Sequence, residues 1–305
     1  MNETKRMPTM ESTGEARPPA VVVPAFGRPE STRRALGSLL AEGAAQIVLV
    51  DDEGSGHGAE LQREFPQVEV LATERAEFWT GSICRGTRWA LQRGAEAVLF
   101  FNQDVVVEPG YFRRLSETAA RHPGAVIGSA VVYAQERGTV WSAGAQSEWF
   151  GRGFRILHHG EPVSALPDEP FPVDWCHGMG TYVPAEVLRR IGLPDAERFP
   201  MAWGDADFTL RAREAGIPVL VDPLLRLVHE VGSYDARSAG PPRLGAYLSC
   251  LLDRRHNLSL RSQMEIWRRH GPRGLWPLSF ALRVSFLLLN WVRIRLLFGA
   301  RKLAA

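Results

Sequence analysis

The sequence predicts an α/β fold, a Rossmann-like and mostly parallel sheet followed by a C-terminal helical appendage, and three observations carry that prediction. Two apolar runs of strand length, Ala20-Val21-Val22-Val23-Pro24 and Gln46-Ile47-Val48-Leu49-Val50, bracket a segment in which Ala35, Leu36, Leu39 and Leu40 share one helical face. That is a β-α-β unit, which pairs its strands in parallel through a right-handed crossover. A further run, Ala97-Val98-Leu99-Phe100-Phe101, halts at Asn102-Gln103-Asp104 and resumes with three valines, so a carboxylate stands where a buried strand surfaces. From Gly240 the chain becomes apolar and rich in arginine, which separates the appendage from the sheet.

Taken in order, residues 1–18 are polar, run into Pro18-Pro19 and read as a disordered leader without the apolar core of a secretory signal. The first strand breaks at Pro24, and Ala25-Phe26-Gly27-Arg28-Pro29 forms the loop before a helix that opens at Glu30 or Ser31. The second strand ends in Asp51-Asp52-Glu53-Gly54-Ser55-Gly56. A short third strand, Val68-Glu69-Val70-Leu71, leads to Phe78-Trp79-Thr80-Gly81-Ser82 and a helix over 83–93. After the central strand, Pro109 introduces a helix over 111–121 with Phe112 and Leu115 inward. Short β runs at 125–128 and 131–133 follow, and 141–154 is expected to form hairpins or mobile loops beside a site. Gly178 and Gly180 let a ligand or another chain approach the backbone closely. Asp205 falls in the cap or first turn of a helix that ends at Gly216, and short strands at 217–221 and 224–228 deliver His229.

With 305 residues, 45% of them hydrophobic and 23% charged, the chain suits one large domain, placed at 19–237, with the appendage at 238–305. The net charge of +2 hides an Arg-rich last third, which argues against a general nucleic-acid binder. Cys84, Cys176 and Cys250 offer neither a disulfide framework nor a CxxC metal site, so a reducing cytoplasm is the expected compartment.

Ligands of such sheets sit beyond the carboxyl ends of the strands, where residues 25–28 and Asp51-Asp52 meet. No GxGxxG or Walker pattern occupies the first turn, which leaves a mononucleotide held by carboxylates and loop backbone. Asp51-Asp52, Asp104, the Gly204-Asp205-Ala206-Asp207 cluster and His229 together supply hard and borderline ligands suited to metal-assisted chemistry on a phosphate. Each also has a bland reading when taken alone. Asp104 ends a strand, Asp205 caps a helix, His229 is a satisfied strand-end histidine, Asp207 pairs with Arg211 or Arg213, and Phe78-Trp79 and Trp203 pack in the core.

Pro24 to Arg28, Val50-Asp51-Asp52, Asn102-Gln103-Asp104, Gly204-Asp205-Ala206-Asp207 and His229, in that order, resemble a family 2 glycosyltransferase of the GT-A fold, in its rhamnosyltransferase-like branch. The resemblance spans about 20–235. It implies that Asp52 binds the nucleotide base, that Asp104 and His229 hold a divalent Mn²⁺ or Mg²⁺ on the donor diphosphate, and that Asp205 is the general base of an inverting transfer. An imidazole ligand tilts the choice toward Mn²⁺. Donor contacts are further expected from Pro24, Ala25, Phe26, Arg28, Trp79, Gly81, Asn102 and Gln103, and acceptor contacts from Trp203, Gly178 and Met179. The chain departs from the family pattern in three places. Gln103 stands where a carboxylate is commoner, Gly204 where Glu is usual, and no Asn precedes Gly81. Competing readings are a nucleotidyltransferase and a catalytically degenerate assembly partner at a membrane.

The stretch 275–298 is long enough to span a bilayer, but Arg283, Arg293 and Arg295 make insertion costly. An interfacial helix at the inner face of a membrane, suited to a lipid-linked glycan acceptor, is one expectation. Packing on the domain or in a homodimer is the other. Asp253-Arg254-Arg255-His256-Asn257 is similar to an Arg-Asn element that follows the catalytic domain in the same branch.

Overall fold

The structure, a computed structural model, describes residues 18–52, 57–229 and 243–303. The expected leader up to residue 17, the segment 53–56 that follows Asp51-Asp52, and the boundary expected at 237/238 lie outside the described residues. Elements alternate as β1 (Ala20–Ala25), α1 (Pro29–Ala41), β2 (Gln46–Asp51), α2 (Gly58–Glu64), β3 (Val68–Ala72), α3 (Phe78–Gln92), β4 (Ala97–Phe100), β5 (Val105–Val107) and α4 (Tyr111–Arg121). Then follow β6 (Val126–Tyr133), β7 (Val140–Ser142), β8 (Ala145–Glu148), β9 (Gly153–Ile156), β10 (Phe171–Pro172), β11 (Thr181–Pro184), α5 (Ala185–Ile191), α6 (Gly204–Glu214) and β12 (Val219–His229). The appendage is α7 (Leu244–Leu252), α8 (Leu260–His270) and α9 (Trp276–Leu303).

Ten of the strands form one sheet in the order β10-β12-β6-β11-β4-β1-β2-β3, with β5 on β12 and β7 on β6. The β4-β1-β2-β3 half is parallel throughout, as the β-α-β pattern predicts. Antiparallel β11 enters between β4 and β6, and β12 then runs parallel to β6. The period-2 alternation of the strands explains the layering. Val21, Val23 and Leu49 face α1 and α4 through Leu36, Leu39 and Leu115, while Val22, Val48 and Val50 face α3 and α6 through Ile83 and Phe208. With both faces covered, each buried Val or Leu contributes about 1.5–3 kcal/mol, more than any local propensity.

Three differences from the sequence reading have physical causes. The two runs at 125–133 are one strand, because every β6 residue from Val126 to Tyr133 has a partner on β12. The two runs at 217–228 are also one strand, β12, which carries an irregularity where 223–225 are passed over relative to β6. Asp222, fully buried, holds that irregularity by accepting from Leu224 N–H (2.9 Å), Arg114 Nε (2.8 Å) and Thr118 Oγ1 (2.5 Å). Helix α3 starts at Phe78 rather than Ile83, because the Asp52 carboxylate accepts the Glu77 and Phe78 amides at 2.7 and 2.9 Å. A cap from a different strand satisfies these helix-end donors.

The appendage is knitted onto the domain. Trp267, fully buried, sits against Phe199 and donates to Ser279 Oγ at 2.9 Å, and Ser279 in turn bonds the Trp149 carbonyl. Arg283 donates to Gln263 Oε1 (2.8 Å) and the Arg152 carbonyl (2.5 Å), and burial pulls its pKa down to about 10. Leu244, Leu248 and Leu252 of α7 and Leu289, Val292 and Leu296 of α9 are all exposed. Among the described residues no helix is long and apolar enough to cross a membrane.

Candidate active site

A cleft of about 550 Å³ opens at the carboxyl ends of β1, β2 and β4. Pro24, Ala25, Phe26, Asp52, Trp79, Asn102, Gln103 and Asp104 line it, so the strand ends singled out by sequence meet in one place. Across it stand Met201 and three residues from the appendage, Asp253, Arg255 and His256.

Sheet register explains how the two expected metal ligands meet. Residue 229 pairs with Val105 in the antiparallel β12/β5 ladder, which sets His229 beside Asp104 despite the separation in sequence. His229 Nε2 lies 3.6 Å from Asp104 Oδ2, and Arg28 Nη1 is 3.9 Å from the same oxygen. The His229–Asp104 separation is too long for a hydrogen bond but within twice a metal–ligand bond of about 2.1 Å. The Nδ1 of His229 is buried without a hydrogen-bond partner among the described residues. A carboxylate oxygen and a buried imidazole thus fit a divalent cation as a two-donor set. Among the described residues there is no group of three or more His, Cys, Asp or Glu side chains able to hold one.

Behind His229 the ring of Trp141 lies 5.5 Å away, and His177 is wedged between Trp141 (4.7 Å) and Trp175 (4.5 Å). Burial, with a contribution from His229, pulls the His177 pKa down to about 3, so it is neutral and bonds Ser142 Oγ at 2.7 Å. This aromatic wall was not assigned a role from sequence, although Trp141 lies in the stretch expected beside a site.

Most other polar groups of the cleft are tied to the protein. Asp52 accepts from Thr73 Oγ1 (3.1 Å) as well as the two amides that open α3. Asn102 Oδ1 accepts from Trp79 Nε1 at 2.7 Å. Gln103 bonds both the N–H and the carbonyl of Phe26. Gly81 lies in α3 against Glu77, where a Cβ would stand 2.8 Å from the Glu77 Cβ, and it is absent from the cleft lining.

Asp205 is the second residue of α6, whose N-cap Trp203 adopts a left-handed φ of 75°. Its carboxylate accepts from Gly178 N (2.9 Å) and Ala206 N (2.8 Å) and has no cation on it among the bonds and ion pairs of the described residues. Burial pushes its pKa up, against the pull of those amides. Gly178 connects this group to the cleft, since a Cβ there would fall inside the Trp79 ring that bonds Asn102. Gly204 is explained by the same packing, because a Cβ would fall inside Thr80 at the start of α3, leaving no room for Glu. Trp203 donates its indole N–H to the Asn257 carbonyl (2.9 Å) and tilts against Phe154, and Met179 is buried in the core. Asp207, fully buried, pairs with Arg211 (2.9 Å), Arg269 (2.7 Å) and His270 (3.1 Å), while Arg213 goes to Asp174 instead.

Sequence reasoning did not place Asp253, Arg255 and His256 in the cleft. The only available signal was the likeness of that segment to an Arg-Asn element. Arg255 is bonded to Asp253 at 3.0 Å.

Comparison with known proteins gives a consistent picture. Residues 17–249 match the model for glycosyltransferase-like family 2. The dTDP-rhamnosyl transferase RfbF of Shigella flexneri is 24% identical over 206 residues, covering 68% of this chain and 67% of that one. An undecaprenyl-phosphate mannosyltransferase of Micrococcus luteus is 32% identical over 216 residues, covering 69% of this chain and 84% of that one. In fold, the chain is similar to GalNAc-T7, crystallised with UDP, GalNAc and Mn²⁺, with a TM-score of 0.53 and 15% identity over 70% of this chain and 43% of that chain.

Proposed function

This chain belongs to glycosyltransferase-like family 2, and from that premise we propose an inverting, metal-dependent transfer of a sugar from a UDP- or dTDP-linked donor to a glycan or lipid-linked acceptor in bacterial surface polysaccharide synthesis. Rhamnose is the first donor sugar to test, in line with the rhamnosyl transferase relative. The observation that carries the reading is the meeting of Asp104 and His229 at 3.6 Å beside the cleft formed by the strand ends.

The donor lies along Pro24, Ala25, Phe26 and Arg28, with its base toward Asp52 and its diphosphate toward Asn102 and Asp104; Trp79 completes that side, while Gly81, turned against Glu77, is not part of it. Asp104 and His229 would hold Mn²⁺ or Mg²⁺, which when bound supplies Lewis-acid neutralisation of the departing diphosphate. Asp205 takes the proton of the acceptor hydroxyl. The hydroxyl oxygen bonds the anomeric carbon as the carbon–oxygen bond to the diphosphate breaks, which inverts the centre. A positioned base of this kind contributes about 10²–10⁴-fold. The raised pKa of Asp205 suits it to receive that proton, and Gly178 and Trp203 form the acceptor side around it, whereas Met179 lies in the core.

The test is release of nucleoside diphosphate from a panel of UDP- and dTDP-sugars with and without Mn²⁺, and the anomeric configuration of the product. Absence of release with every donor and acceptor, or retention of configuration, counts against the reading.

The same reading places the protein in the cytoplasm, peripheral at the inner face of the membrane. Support comes from the exposed leucines of α7 and α9 and from the charge pattern, since eight Lys and Arg residues and no Asp or Glu follow Glu265. The undecaprenyl-phosphate relative supports a lipid-linked acceptor. Flotation with anionic but not zwitterionic vesicles is expected, and a vesicle-independent homodimer burying the same leucines would replace this location.

A further inference from the structure

Gln103 interrupts what the family resemblance leads one to expect as a pair of carboxylates, and its bonding gives a reason. Its Oε1 accepts from Phe26 N (2.9 Å) and from Thr32 Oγ1 (3.0 Å), and its Nε2 donates to Phe26 O (3.0 Å). The side-chain amide therefore pairs with the backbone N–H and C=O of residue 26 as a neighbouring strand would, just past the end of β1. The Thr32 hydroxyl has a single hydrogen and also faces Arg28 O at 3.0 Å, so the firm donor to Oε1 is the Phe26 amide. Carboxylates only accept when ionised, so Asp or Glu at this position would face the Phe26 carbonyl with no hydrogen to offer.

The pinned segment is the loop of the donor site. Phe26 is exposed at the cleft, Gly27 takes a left-handed φ of 56°, and Arg28 turns its guanidinium toward Asp104. A loop with one left-handed glycine has several backbone states open to it, and Gln103 selects among them.

We propose that Gln103 is a positioning residue, neither a cation ligand nor a direct donor contact. It fixes the 26–28 backbone in the donor-ready conformation and leaves Asp104 as the carboxylate of the motif that faces the cation. This rests on the donor-binding reading of the cleft above, but its first test does not.

That test is amide hydrogen exchange on the full chain without any ligand, comparing wild type with Gln103→Met and Gln103→Glu. Expected is a loss of protection of about tenfold or more at the Phe26 amide in both variants, with β1 amides such as Val22 and the melting temperature unchanged. Equal protection at Phe26 in wild type and in Gln103→Met overturns the proposal. Should either variant fail to fold, Thr32→Val, which removes one of the three bonds, is expected to give a smaller loss at the same amide. A Mn²⁺ titration by electron paramagnetic resonance, with UDP or dTDP present, gives a second readout. Gln103→Glu is expected to bind Mn²⁺ no more tightly than wild type, and a tightening of tenfold or more would show that position 103 reaches the cation and overturn the inference. In turnover, both variants raise the donor KM about tenfold with a much smaller change in kcat; the reverse split also counts against it. If wild type binds neither nucleotide, the donor-site reading fails while the Phe26 exchange still decides the clamp.

Discussion

Two carboxylates stand two residues apart on the same helix and lie in opposite environments. Asp205, on the side of α6 facing Gly178, meets two backbone amides, and burial raises its pKa. Asp207, on the side facing α8, is fully buried among Arg211, Arg269 and His270. The difference teaches that burial alone does not assign a role. An uncompensated carboxylate held by weak donors keeps a lone pair for chemistry, whereas one surrounded by cations is spent on holding two parts of the chain together.

The comparison would break most visibly at Asp205. Asp205→Ala is expected to lower kcat/KM by about 10²–10⁴-fold with a melting temperature within a few degrees of wild type, measured by diphosphate release. Activity within tenfold of wild type would remove Asp205 as the base. Asp207→Ala should invert that pattern, costing about 3–5 kcal/mol in urea unfolding because Arg211, Arg269 and His270 lose their shared partner, with activity per folded molecule nearly retained. A smaller change comes from Trp79→Phe, which drops the bond to Asn102 while keeping a ring on Gly178. About 1 kcal/mol, roughly fivefold in donor KM, is expected, and no change would cut the proposed link between donor motif and base.

A pH profile sharpens the contrast further. With its folded pKa above the ordinary 3.8, Asp205 loses its base form as pH falls through that raised value, so the acid limb of kcat/KM should lie above the range of an exposed aspartate. Its ionisation also works against the fold: the penalty is absent below 3.8 and complete above the raised pKa, so removing this charge carries no electrostatic cost at neutral pH. An acid limb at or below pH 4 would contradict the assignment.

Much of the frame was legible because it depends on local pattern. Continuous apolar runs of strand length gave β1, β2 and β4, helical spacing gave α1, and the polar residues that end those strands gave the cleft. What stayed hidden depends on groups distant in sequence. The start of α3 is fixed by Asp52, a strand away; the bonding of Gln103 to Phe26 joins residues with no shared periodicity; and Asp207 finds Arg269 and His270 only when α8 docks. For the same reason Arg211 rather than Arg213 could be chosen only once the helix was oriented.

The irregular stretch of β12 has a consequence for how this chain can vary. Residues 223–225 are passed over in the pairing with β6, and regular pairing resumes at Arg226 and continues to His229 opposite Val105. Side chains alternate sides along a strand, so losing or gaining a single residue in that stretch without compensation would turn the imidazole to the far face of the sheet. Mutational scans should therefore find the stretch intolerant of indels, with exposed Leu224 lenient toward changes of residue type and Leu225, fully buried in the core, not; length here is a ruler for the site beyond it.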